Sequence, residues 1–155
     1  MPVQKLREFL NQNGVKYVTI SHSPAFTAQE IAAQAHVKGH DMAKTVMVKL
    51  DDEMAMAVLP ASYQVDLEQL RAATGARRVK LASEQEFKGR FPQCEAGAMP
   101  PFGNLWGMEV FADAHLCEDE TITFNAGSHT ELVKLSYAEY ERLVRPRVAS
   151  LTTRN

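Results

Sequence analysis

The stretch KTVMVKLDDEMAMAVLP, residues 44–60, decides how this chain folds. It holds two apolar runs, KTVMVKL (44–50) and MAMAVLP (54–60), separated by Asp51, Asp52 and Glu53. Each run has strand length and strand composition, and the acidic residues between them are turn formers, so the whole reads as a β-hairpin. Outward from it, KYVTIS (16–21), RRVKL (77–81), WGMEVFA (106–112), TITFN (121–125) and ELVKLS (131–136) are further strand candidates. Helices are expected where a capping residue precedes an apolar stripe. Leu6, Phe9 and Leu10 share one face of a first helix stopped at Gly14, and Thr27 with Glu30 opens a second, from about 28 to 36. Asp66 opens a helix closed by Gly75, Ser83 with Glu86 a short one running toward Phe91, and Ser136 with Glu139 a last one through Leu143. Helices and strands do not alternate strictly, so the fold class is a mixed α+β domain rather than a doubly wound parallel sheet.

The chain has 155 residues, enough for one domain with a core and too few for two. A single domain is expected over 1–155, with RPRVASLTTRN frayed and 146–155 a flexible tail. Apolar residues make up 45% and charged residues 23%, an ordinary globular balance. A net charge of -2 argues against coating long stretches of nucleic acid, though not against a local grip on a few phosphates. Cys94 and Cys117 form no CxxC pair and suggest reduced thiols in a cytoplasmic protein. The segment MPVQKLREFLNQNG is an amphipathic helix pattern, and no run approaches the roughly 20 apolar residues of a membrane span.

Common catalytic signatures are missing. His36 and His40 are four apart, but Gly39 intervenes, and His115 with Cys117 makes a pair without partners; zinc usually needs three or four protein ligands. There is no GxSxG elbow, no GxxxxGK[ST] and no GxGxxG. Three features remain: Lys44 at the head of its strand, the turn NAGSHT (125–130) that sets His129 at the start of the next strand, where a side chain can be aimed into a pocket, and the loop AGAMPPFGN (96–104). That loop is too broken for a helix or strand and too apolar for a plain linker. Prolines lower the entropy cost of holding one shape, and glycines let a ligand approach the backbone.

Taken in order, HSPAFTAQEIA (22–32), AKTVMVKL with its leading lysine, GAMPPFG and FNAGSHTELVKLS resemble the editing deacylases. These are the YbaK-type proteins and the editing domain of bacterial prolyl-tRNA synthetases with its free-standing relatives. The resemblance covers roughly residues 22–136. It implies a mainly antiparallel, barrel-like sheet surrounded by helices, and hydrolysis of the ester that joins a wrong amino acid to tRNA. It implies catalytic roles for Lys44, Gly97, Gly103 and His129, with Lys44 contacting phosphate or ribose, the two glycines lining the pocket through their backbone, and His129 discriminating the amino acid. Phe26, Thr45, Met99, Pro101, Phe102, Gly127 and Ser128 are implied as substrate-binding. The partners implied are the acceptor end of an aminoacyl-tRNA and a synthetase, with no cofactor, metal or membrane. Arg71, Arg77, Arg78 and Lys80 are candidates for holding the acceptor stem. An activated ester with a neighbouring ribose hydroxyl requires no protein triad, so the catalyst's task is chiefly positioning. Met99 and the second proline depart from the family's smaller or polar loop residues, and Thr45 stands where some members carry Asn. Two other readings stay open: a non-catalytic aminoacyl- or nucleotide-binding or synthetase-interacting module, and a hydrolase of another small ester on the same fold.

Overall fold

The computed structural model describes residues 3–21 and 42–154. The helix expected from Thr27 and Glu30 lies outside these residues, as do Phe26, His36 and His40.

The hairpin forms as its sequence demands. Strands β2 (Ala43–Leu50) and β3 (Glu53–Pro60) pair antiparallel from Ala43 opposite Pro60 to Leu50 opposite Glu53. The reversal needs a positive φ, which Asp51 adopts at 57°. Its carboxylate also accepts from the N–H groups of Arg77 and Arg78, at 3.0 Å each, tying the turn to the segment that enters β5 (Val79–Leu81).

Both faces of the hairpin are covered, which explains apolar runs without clean alternation. One face places Ala43, Met47, Met56 and Val58 in the main core. The other packs Val48, Ala55, Ala57 and Leu59 against Leu70, Tyr63, Phe111 and Leu151. Leu70 comes from helix α2 (Leu67–Thr74), capped by Asp66 and ended by Gly75 in the left-handed conformation. The sheet runs β5-β2-β3-β6-β9, where β6 is Val110–Asp113 and β9 is Arg147–Ala149. The β3–β6 and β6–β9 ladders are parallel; β2 pairs antiparallel with both of its neighbours.

A second, three-stranded antiparallel sheet has the order β1 (Tyr17–Ser21), β8 (Glu131–Ser136), β7 (Thr121–Asn125). A parallel bridge between Met42 and Thr123 joins it to the larger sheet, in keeping with the curled, mainly antiparallel α+β fold expected. Helices α1 (Gln4–Gln12), α3 (Glu84–Phe87) and α4 (Tyr137–Val144) complete the described α-helices, beside two short 3₁₀ turns. Among the described residues, no helix is long and apolar enough to cross a membrane.

The tail differs from expectation. Residues 147–154 are not frayed: β9 pairs with β6, and β10 (Thr152–Arg154) pairs with β4 (Tyr63–Val65). Between them Leu151 is fully buried. The physical reason is Asp113, whose buried carboxylate accepts from Leu151 N at 2.9 Å and Thr152 Oγ1 at 3.1 Å. WGMEVFA also departs from a single strand: residues 103–106 form a 3₁₀ turn closed by Gly107 at φ 69°, and the strand starts at Val110.

Candidate functional site

The histidine turn and the Gly/Pro loop are stitched together through their backbones. Glu95 N donates to Gly127 O at 2.7 Å, and Gly127 N donates to Ala98 O at 2.9 Å. Gly127 sits at φ +103°, and a Cβ there would lie 3.0 Å from Val3 Cβ, so both its conformation and its neighbour favour glycine. Val3 in turn donates its N–H to Ala126 O at 2.9 Å, anchoring α1 to the same turn. Ser128 braces the turn from within, its Oγ 3.3 Å from Thr130 Oγ1 and 3.5 Å from Glu131 Oε1.

These bonds deliver His129 onto the loop, with Nε2 2.8 Å from the carbonyl oxygen of Ala96. A carbonyl can only accept, so Nε2 carries the proton in this contact, and Nδ1 has no partner among the described residues. Gly97, the next residue, is exposed at φ +81°, and a Cβ on it would stand 3.5 Å from His129 Cε1. The N–H groups of Ala96 and Gly97 donate to no acceptor among the described residues. The site thus has an imidazole, a glycine and backbone donors on one exposed ledge.

The second half of the loop is buried, and this accounts for its apolar composition. Phe102 has no exposed surface; its ring packs against Phe9, Phe124 and Tyr140 at centroid distances of 6.1, 5.4 and 5.3 Å. It therefore anchors the loop from the core instead of meeting a substrate directly. Pro101 is buried too, and its carbonyl accepts from Tyr140 Oη at 2.7 Å. Burial raises the Tyr140 hydroxyl well above its ordinary pKa, so it stays a donor. Tyr140→Phe leaves that carbonyl unpaired in the core and is expected to cost about 1–3 kcal/mol in urea unfolding. Gly103 has a packing role as well: a Cβ there would meet Val110 Cγ2 at 2.7 Å and Met108 O at 2.8 Å. Nothing in the loop's sequence distinguishes Gly103 from Gly97; the distinction is tertiary. Tyr140, Ala96 and Val3 are the supporting residues that sequence reasoning missed, because each acts through a long-range contact.

Lys44 and Thr45 stand at the head of β2, opposite Leu59 and Val58. The Met42–Thr123 bridge runs this end of β2 beside the strand that leads into the histidine turn. Lys44 is half-buried, and its ammonium makes no hydrogen bond or ion pair with the described residues, His129 included. Burial pushes its pKa below the ordinary lysine value. A desolvated ammonium without a carboxylate is costly unless an anion arrives.

The remaining candidates have structural partners. His115 Nδ1 lies 2.7 Å from Asp113 Oδ2, and Cys117 Sγ lies 3.1 Å from Tyr137 Oη. Arg71 pairs with Glu68 at 3.3 Å on the surface of α2, while Arg77, Arg78 and Lys80 are exposed around β5. Burial pushes the Cys94 thiol up to about 11. A raised pKa keeps the thiol protonated, and the thiolate is the reactive form. Alkylation of Cys94 by iodoacetamide in the folded protein is therefore expected to be slow at neutral pH and to rise as the pH approaches 11. Fast alkylation near pH 8 would contradict this environment.

The family described as "Aminoacyl-tRNA editing domain" matches residues 22–143. The multifunctional Ser/Thr-tRNA deacylase ProXp-y of Escherichia coli K12 is 29% identical over 152 residues, covering 95% of this chain and 90% of that protein. A proline–tRNA ligase of Bacillus cereus AH187 is 26% identical over 85 residues, which is 55% of this chain and 15% of the ligase. Among solved structures, a candidate trans-editing enzyme for prolyl tRNA synthetase superposes with a TM-score of 0.82 at 18% identity, over 97% of this chain and 96% of the other. The hypothetical protein APE2540 does so with a TM-score of 0.83 at 20% identity, over 97% and 100%. At such identities these two likenesses speak for the fold alone. The family match spans most of the chain and takes in Lys44, the loop and His129, and the chain belongs to the aminoacyl-tRNA editing domain family.

Proposed function

We propose that this protein is a free-standing deacylase that hydrolyses the ester between a wrong amino acid and the terminal adenosine of tRNA. The observation that carries the reading is the His129–Ala96 contact, which holds a glycine ledge, whose N–H groups have no acceptor among the described residues, beside an imidazole. Backbone donors of this kind suit a developing oxyanion, since they are already oriented when charge appears. His129 Nδ1 is then available to the α-amino group or side chain of the aminoacyl moiety. Lys44 takes a phosphate or the ribose of the acceptor end, as a point charge on a flexible stem. Gly97 lets the ester come close, whereas Gly103 and Phe102 act from beneath by fixing the loop. The neighbouring ribose hydroxyl assists attack by water, so no protein nucleophile enters.

Similarity over 95% of this chain and 90% of a deacylase supports the free-standing form, and similarity to proline–tRNA ligases supports a synthetase as a second partner. The place of action is the cytoplasm, where tRNA is charged. Serine and threonine esters are the first substrates to try, given the name of the Escherichia coli relative. The test is a panel of mischarged tRNAs incubated with the purified protein and scored for released amino acid. Release from at least one small or hydroxylated ester is expected. Tight tRNA binding with no release from any would favour a non-catalytic module.

A further inference from the structure

Beside the first half of the loop lies a half-open cavity of about 230 Å³. Its lining includes Glu84, Phe87, Phe91, Cys94, Ala96 and Met99. We infer that this cavity is the seat of the nucleobase of the terminal nucleoside, so that the base stacks on Phe87 while the ester on its ribose lies at the Gly97–His129 ledge. The inference rests on the deacylase reading and adds a substrate-binding subsite to it.

Continuity comes first. Ala96 lines the cavity and is the residue whose carbonyl holds His129, so cavity and ledge are neighbours along one stretch of backbone. The nucleoside that carries the ester must lie beside the reacting carbonyl. The volume falls below the roughly 300–1,000 Å³ of sites for larger ligands, which leaves room for one ring system and not a whole nucleotide. The walls are aromatic and sulfur-bearing, suited to the faces of a flat ring. At the rim, the Glu84 carboxylate can accept from an exocyclic amine, and Lys88, also at the edge, can reach the adjoining phosphate. An aminoacyl side chain bearing a hydroxyl fits this lining poorly. The half-buried thiol of Cys94 is its main polar side chain below the rim.

The wall is also held rigidly. Helix α3 is opened by a capping box between Ser83 and Glu86, and Glu86 pairs with Lys49 at 2.8 Å. Phe91 stands edge-on to Trp106 at 4.9 Å and to Phe87 at 6.5 Å. Phe91 is thereby locked in place, while Phe87 lines the cavity and stays partly exposed.

The probe is adenosine, with binding measured by equilibrium dialysis so that no turnover is needed. Saturable binding to the wild-type protein is expected. Phe87→Leu, which keeps apolar bulk but removes the ring, should weaken it by about 5- to 150-fold. Phe87→Tyr should restore it, and melting curves for both variants check that the fold is intact. The same Phe87→Leu change should raise KM for mischarged tRNA more than it lowers kcat. Equal adenosine affinity for wild type and Phe87→Leu, or no saturable binding at all, would overturn the assignment. Deacylation could survive that result, and adenosine binding could survive a protein that releases no amino acid, so the two failures are separable.

Discussion

Lys44→Ala is expected to lower kcat/KM for a mischarged tRNA by about 10- to 150-fold, the worth of a hydrogen bond to a charged group. The same change should leave the melting temperature unchanged or raised. The two expectations come from one observation: a half-buried ammonium that has no anionic partner among the described residues and whose pKa is pushed down by burial. Such a cation costs the free protein stability and recovers it when an anion binds. The sign of the pH effect follows. The folded protein holds this proton less tightly than the unfolded chain, so the cost is full below the folded pKa and is relieved as pH rises to the unfolded value. Activity that needs the charge falls on the alkaline side earlier than for an ordinary lysine. Lys44→Arg should recover part of the activity, because a planar guanidinium restores charge but not the compact geometry. Unaltered deacylation by Lys44→Ala would remove Lys44 from the mechanism.

Asp113→Ala is expected to destabilise the fold by about 3–5 kcal/mol, read from urea unfolding. Its fully buried carboxylate accepts from Leu151 N and Thr152 Oγ1 through one oxygen, and from His115 N at 3.2 Å and His115 Nδ1 at 2.7 Å through the other. Alanine leaves the Leu151 N–H in the core without this acceptor. The loss should be local first, with faster amide exchange over residues 147–154, whose strands attach to β6 and β4 beside this residue. Asp113→Asn keeps one acceptor oxygen and presents an amide NH2 donor where His115 now donates, so an intermediate loss is expected. A cost below about 1 kcal/mol would mean the tail is held by its ladders alone.

What was legible in the sequence is what local chemistry decides. The caps at Asp66, Ser83 and Ser136, the stop at Gly75 and the hairpin at 44–60 all form as read, because each depends on residues within a few positions of one another. The tail was misread because β9 and β10 are three residues each, too short for periodicity, and their burial is fixed by an aspartate far away in sequence. β4 escaped notice for the same reason: its pairing partner is that tail. The parallel β3–β6 ladder left no trace in either strand, since a doubly covered sheet reads alike whichever way its neighbours run.

The site was legible by halves. Gly97 and His129 meet, as their shared motif order suggested. Gly103 and Phe102 lie in the same nine-residue loop but turn inward, and only the aromatic cluster around Phe102 reveals why the loop is apolar. The loop is thus a plate bolted to the core at Pro101–Phe102, with its glycine edge presented to solvent. That arrangement suits catalysis by alignment more than by side-chain chemistry.

The measurement that tests this account most directly is single-turnover release of serine or threonine from mischarged tRNA ending either in adenosine or in 2′-deoxyadenosine. If the protein aligns an ester whose own ribose hydroxyl assists, the ordinary substrate is hydrolysed and the deoxy substrate is slowed by about 10²-fold or more. Equal rates on the two, or release from neither, would contradict it.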